Sequence, residues 1–279
     1  MGRAENQFQG PRRPSAGNCD LHQSETIGGG ADSNSRVKAI LLDWHGTLTD
    51  EKLIREVYRR YNYNYFKAET DASWGGWKRI EQAAIEKFVA TFYDLAADPS
   101  KDFNMVIRES DLVYYRTLIE LASIRRAYDE QELFALSRKL EMEVNASHNT
   151  LHPDAREALE TLKAAGYQLM ACTSASEAHL MGALKGCGLE GFFDDLYYGE
   201  RFNSFKNRPD FWKKAFEASG LPAGALLVVD DTTRYLDPPH ALGAHCMLIQ
   251  RSAKPGPSDT PYPVIHSLSE LHQAMLVMN

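Results

Sequence analysis

Asp43-Trp44-His45-Gly46-Thr47-Leu48-Thr49-Asp50 decides the fold, because of what stands immediately before it. The preceding run, Val37-Lys38-Ala39-Ile40-Leu41-Leu42, is short and mostly apolar, β-branched at its start and closed by polar and Gly residues. It reads as a buried strand. A carboxylate at the carboxyl end of such a strand stands where open α/β sheets place their ligand crevice. Gly46 permits a tight turn and a close approach of backbone to a ligand. Taken alone, Asp-x-x-Gly-Thr is a weak signal, and its weight comes from residues far along the chain.

On the carboxyl side the pattern changes at once. Residues 51–149 carry apolar residues at helical spacing: Leu53/Val57/Tyr61, Ile80/Ala84/Phe88, Leu112/Tyr115/Ile119 and Leu133/Leu136/Leu140/Val144. Breaks at residues 71–76 and 98–100 divide the interval into four or five helices, with no strand pattern among them. This predicts an all-helical domain inserted after the first strand. Residues 150–279 return to alternation. Helices are expected over 152–165 (Pro153 at its first position and Gly166 ending it), 177–186, 209–219, 238–243 and 268–278. Strands are expected over 167–172, 196–198, 225–229 and 245–249. Strands alternating with helices predict an α/β domain with a doubly wound parallel sheet, built from residues 37–50 and 150–279. Residues 1–36, rich in Gly, Ser, Asn, Gln and Pro, bury too little apolar surface to offset their ordering entropy and are expected to be a disordered tail.

The net charge of −7 argues against nucleic acid or an anionic membrane surface as a partner. No apolar run approaches the ~18–20 residues needed to span a bilayer. The first residues lack the basic-then-apolar pattern of a secretory signal, so a cytoplasmic location is expected. Cys19, Cys172, Cys187 and Cys246 have no metal-ligand spacing and read as reduced, mostly buried thiols.

Four polar groups stand just past four apolar runs: Asp43, Thr173-Ser174, Lys206 and Asp230-Asp231. In a parallel sheet those strand ends share one edge, so groups distant in sequence can converge. Together they make a kit for phosphoryl transfer. A carboxylate nucleophile splits one hard hydrolysis into two displacements. Hydroxyl and N–H groups hold phosphate oxygens, a Lys neutralises charge, and further carboxylates complete an oxygen-ligand site for Mg²⁺. The order resembles motifs I to IV of the haloacid dehalogenase (HAD)-like hydrolase superfamily, over residues 37–249. Gly166-Tyr-Gln-Leu-Met-Ala-Cys-Thr173-Ser174 is similar to motif II, Lys206-Asn-Arg-Pro-Asp-Phe-Trp212 to motif III, and Val228-Val-Asp230-Asp231-Thr232 to the double-Asp form of motif IV. The resemblance implies a Rossmann-like core with a helical C1-type cap and an aspartyl-phosphate on Asp43. It further implies Thr173 and Ser174 on the phosphate, Lys206 beside the nucleophile, and Mg²⁺ on Asp43, the backbone carbonyl of His45 and Asp231 or Asp230, with Asp231 favoured. The expected partner is a small phosphorylated molecule bound by a monomer or homodimer.

Two positions depart from the family pattern. Tyr235 stands where many members carry a second acid or an Asn, and Asp237 is a candidate substitute. His45 replaces the second Asp of motif I, the family's acid/base; an imidazole can do the same work. Asp-Trp-His-Gly-Thr is also close to the motif of phosphonoacetaldehyde hydrolases, which need a cap lysine, for which Lys52, Lys67 and Lys78 are available. Cleavage of a C–P or C–halogen bond, or weakly catalytic binding of a phosphate ligand, are therefore the competing functions. The cluster Tyr58, Tyr61, Tyr63, Tyr65, Phe66, Trp74 and Trp77 either lines the substrate chamber or, the favoured reading, forms the core of the cap.

Overall fold

The alternation of strand β1 (Ala39–Asp43) sends Ile40 and Leu42 to one face and Ala39 and Leu41 to the other, and all five residues are buried. A strand covered on both faces belongs inside a parallel sheet. In the computed structural model, β1 lies third in a six-stranded, all-parallel sheet. Residues 36–252 and 260–278 are described, without the side chains of residues 51–53. The other strands are β2 (Gln168–Thr173), β3 (Asp195–Tyr198), β4 (Leu226–Asp230), β5 (His245–Ile249) and β6 (Val264–Ile265), in the order β3-β2-β1-β4-β5-β6. Asp43 pairs with Cys172, and Leu42 with Val229, so the ends of β2, β1 and β4 lie side by side.

Helices cover both faces, as burial on both sides requires. Leu159 and Leu162 of α5 (Ala155–Ala164), Leu180 and Leu184 of α6 (Glu177–Gly186) and Leu271 and Met275 of α10 (Leu271–Met278) pack on the face holding Ile40 and Leu42. Phe211 and Trp212 of α8 (Pro209–Ser219) and Leu236 of α9 (Thr233–Ala241) pack on the other. A short helix, α7 (Gly199–Phe202), follows β3.

The insert consists of α1 (Glu51–Phe66), α2 (Trp74–Ala97), α3 (Phe103–Leu121) and α4 (Glu130–Ala146). Three have side-chain caps that satisfy N-terminal amides: Ser73 for α2, Asp102 for α3, and an Asp129–Glu132 capping box for α4. Phe66, Trp77, Leu112, Leu118 and Leu140 are fully buried in a core of its own. Six of the seven aromatic residues belong there, with Tyr61, Tyr63, Tyr65 and Trp74 packed against that core, as the favoured reading held; Tyr58 instead faces His179, its Oη 3.3 Å from Nδ1. Both chain crossings are tied together: Asp50 N–H donates to the Thr150 carbonyl at 2.9 Å, and His152 N–H to that of Leu48 at 2.9 Å.

Local differences have local causes. Pro153 precedes α5 rather than starting it, and Asp154 at the N-cap gives no side-chain cap, because its carboxylate is occupied by Arg251, Ser267 and the Leu268 amide. The stretch expected as a helix over 238–243 begins earlier, at Thr233, and contains Pro238 and Pro239. The two-residue β6 and four-residue α7 are too short for a periodic signal. Cys172, Cys187 and Cys246 are free and buried, as expected. The tail expected over residues 1–36, Cys19 included, lies outside the described residues except for Arg36. Among described residues no helix is long and apolar enough to cross a membrane.

Candidate active site

Asp43 is the last residue of β1, and its carboxylate is 7% exposed. Lys206 Nζ donates to its Oδ1 at 2.6 Å, while Oδ2 is buried without a hydrogen-bond partner. Lys206 comes from the loop between α7 and α8, fixed by a Trp212 Nε1–H bond to its carbonyl at 2.6 Å. Its ammonium also lies 2.6 Å from Asp230 Oδ2 and 3.1 Å from the Cys172 carbonyl oxygen. Burial at 1% exposure would strip the charge from a lone lysine. Here the carboxylates of Asp230 and Asp43 more than offset that burial and hold the pKa above its ordinary value.

Asp230 ends β4 fully buried, its Oδ1 accepting from the Thr232 amide at 2.9 Å. Asp231 is exposed, and its Oδ1 accepts from Thr232 Oγ1 at 3.0 Å. Ligand atoms of Asp43, Asp230 and Asp231 lie within 4.8 Å of one another. An all-oxygen, acidic donor set of this kind suits a hard divalent cation. Asp237, the candidate substitute, is not in this cluster; its Oδ1 accepts from Tyr262 O–H at 2.5 Å. Tyr235 instead places its ring 5.3 Å from the Lys206 ammonium.

Gly46 explains the turn that follows Asp43. Its φ is +81°, and a Cβ there would run into the Asp231 carboxylate, so only glycine fits. Arg251 holds the same turn from outside, donating through Nε and Nη2 to the Thr47 carbonyl at 3.0 and 2.6 Å and through Nη1 to Asp154.

Asp43, His45, Thr173, Ser174 and Asp231 line one cavity of about 360 Å³ together with Tyr93, Thr232, Arg234 and Tyr235. Six residues singled out in the sequence, Tyr235 included, thus share a wall, with Lys206 and Asp230 directly beneath Asp43. Thr173 is buried, and its Oγ1 accepts from the Ala175 amide at 3.2 Å. Ser176, not Thr173 or Ser174, caps α6. Tyr93, 58% exposed on α2, is the insert's contribution to the wall. Its sequence context gives no hint of that position.

The imidazole of His45 turns to a partner that sequence reasoning missed: its Nε2 lies 2.7 Å from Nε2 of His179, on α6. Burial, then His179 and Lys206, push the pKa of His45 well below its ordinary value, so the ring is neutral near pH 7. Its ring atoms are not among those of the acidic cluster.

Residues 37–235 match the family model described as hydrolase, haloacid dehalogenase-like hydrolase. The chain is 29% identical over 244 residues to enolase-phosphatase E1 of Nocardia farcinica (strain IFM 10152), covering 85% of this chain and 97% of that one. Its fold is similar to that of L-2-haloacid dehalogenase from Xanthobacter autotrophicus with chloropropionic acid covalently bound, with a TM-score of 0.61 at 18% identity over 87% of this chain and 100% of the other. It is also similar to a HAD phosphatase from Thermococcus onnurineus, with a TM-score of 0.55 at 20% identity over 86% and 98% of the two chains.

Proposed function

Because this chain belongs to the haloacid dehalogenase-like hydrolase family, we propose that it is a Mg²⁺-dependent phosphatase of small phosphate esters. The observation that carries the reading is the state of Asp43. One carboxylate oxygen is held by Lys206, the other is unengaged beside a cavity, and two further carboxylates stand within metal-sharing distance. The relative named an enolase-phosphatase supports the choice of phosphate over halide.

Asp43 Oδ2 attacks phosphorus, the ester P–O bond breaks, and the leaving oxygen takes a proton from solvent. Water then attacks the phosphorus of the aspartyl-phosphate, the Oδ2–P bond breaks, and His45 accepts the proton that water loses. Its neutral imidazole is the form suited to this second step. Lys206 holds Asp43 in orientation, and Thr173 and Ser174 supply hydroxyl and N–H donors for the equatorial phosphate oxygens. Asp43, Asp231 and Asp230, with the His45 backbone carbonyl, would hold Mg²⁺, which when bound screens the phosphate charge from the carboxylate attacking it. Of the lysines available for a Schiff base, Lys67 and Lys78 are exposed and neither lines the cavity, and the side chain of Lys52 lies outside the described residues.

The test is a screen of the purified protein against a broad panel of phosphate esters, with Mg²⁺ and with chelator. Phosphate release that needs Mg²⁺ is expected. Release of halide from haloacids or of phosphate from phosphonates, without ester hydrolysis, would move the assignment to those reactions. Binding of phosphate ligands without turnover would leave a binding protein.

A further inference from the structure

We propose that His179 and Glu141 are positioning residues that fix His45 in a single tautomer, protonated on Nε2, with the lone pair of Nδ1 left free. The proposal rests on the reading of His45 as the acid/base. It begins with the 2.7 Å separation of the two Nε2 atoms. At that distance one ring donates and the other accepts; two N–H groups would collide and two lone pairs would repel. Which ring donates is decided on the far side of His179.

There Nδ1 of His179 faces Glu141 Oε1 at 3.7 Å, Tyr58 Oη at 3.3 Å and Asn145 Nδ2 at 3.3 Å. Asn145 spends its amide hydrogens elsewhere, on Tyr58 Oη at 2.6 Å and on the Glu141 carbonyl at 2.7 Å. Glu141 is acceptor-only when ionised, and its surroundings keep it so. Although burial opposes the charge, contacts with His179, Arg138 and Ser176 hold its pKa below the ordinary value. Its Oε2 is engaged by Ser176 Oγ at 2.8 Å and Arg138 Nη2 at 3.1 Å, leaving Oε1 toward His179. Arg138 is in turn anchored by Asp111.

Tyr58 could in principle give its hydroxyl proton to His179 Nδ1, which would reverse the order. The charge of the Glu141 carboxylate, 3.7 Å from Nδ1, outweighs a neutral hydroxyl dipole in selecting the proton position. Nδ1 of His179 therefore carries hydrogen, its Nε2 accepts, and His45 donates through Nε2. The arrangement spans two parts of the fold. Glu141 and Asn145 lie on α4 and Tyr58 on α1, all in the insert; His179 lies on α6 of the α/β domain. Docking of α4 on α6 thus places a carboxylate from the insert behind the imidazole of the β1 loop.

Nitrogen-15 NMR of the full-length protein labelled at histidine reads the tautomers directly, with His179→Gln and His45→Gln for assignment. His45 is expected to show a protonated Nε2 and a bare Nδ1 in the unaltered protein. In Glu141→Gln the two tautomers should mix, and kcat should fall about 10- to 100-fold with KM little changed, the usual effect of losing a group that orients a working histidine. A His45 protonated on Nδ1 in the unaltered protein would overturn the proposal, as would tautomers insensitive to Glu141→Gln. Either assignment variant suffices if the other fails to fold, because the two rings are coupled neighbours. If the expected tautomer is found but His45→Ala turns over at the full rate, the positioning stands and the acid/base role of His45 falls.

Discussion

At His45 a half-buried imidazole, neutral near pH 7, is paired with His179. In its proposed role as proton acceptor in hydrolysis of the phospho-enzyme, its loss in His45→Ala should lower kcat roughly 10²- to 10⁴-fold. His45→Asp should retain more activity than Ala, since it restores a group able to accept the proton; equal rates for Ala and wild type would make the side chain a bystander. Gly46 supplies an independent prediction. Alanine there must adopt a left-handed conformation costing about 1–2 kcal/mol and displace the Asp231 carboxylate. Gly46→Ala should lower the urea midpoint and weaken Mg²⁺ binding by calorimetry, and unchanged metal affinity would place Asp231 outside the site. Much at this scale was legible, because Asp43, Thr173, Asp230 and Asp231 each directly follow or end an apolar strand. His179 and Glu141 were not: each sits on a helix with no local pattern, and they meet only through tertiary packing.

Between elements, α4 and α6 approach closely. Gly182 and Gly186, four residues apart on one face of α6, let it approach the α4 backbone. A Cβ at Gly182 would strike the Met142 carbonyl, and one at Gly186 those of Asn145 and His148. Gly182→Leu should therefore destabilise by about 1–3 kcal/mol, the usual cost of overpacking. Gly75→Ala, in the first turn of α2 with open space around it, should be neutral or stabilise by up to about 1 kcal/mol. Urea unfolding of both variants checks the opposite signs, and equal effects would mean that the α4–α6 contact is loose. Helices and strands with several periods of pattern were readable in advance, whereas the α4–α6 seam was not. A glycine pair in a helix has the same sequence appearance whether it packs closely or faces water.

Across the whole molecule, the insert and the α/β core were anticipated because hydrophobic period changes at their junctions, near residues 50 and 150. What could not be read was how distant loops lock together, as at Asp154. This carboxylate joins α5, the second residue after β5 and the start of the last helical segment through Arg251, Ser267 and the Leu268 amide. Burial alone would raise its pKa, but those three partners hold it below its ordinary 3.8. Its contribution is therefore present above about pH 4 and lost as pH falls through the depressed folded value. Asp154→Asn should cost about 1.5–3 kcal/mol at pH 7 and flatten the acid limb of the stability curve; an unchanged acid limb would contradict the assignment. Turnover should fall too, since Arg251 also holds the Thr47 carbonyl. The central claim is that Asp43 carries the phosphoryl group during hydrolysis of a phosphate ester. Rapid acid quench during turnover with Mg²⁺, followed by peptide mass mapping, tests it most directly. The account predicts one added phosphoryl group on the peptide containing Asp43, absent in Asp43→Asn. Continued ester hydrolysis by Asp43→Asn, or an organic ester of Asp43 in place of the phosphoryl group, would contradict it.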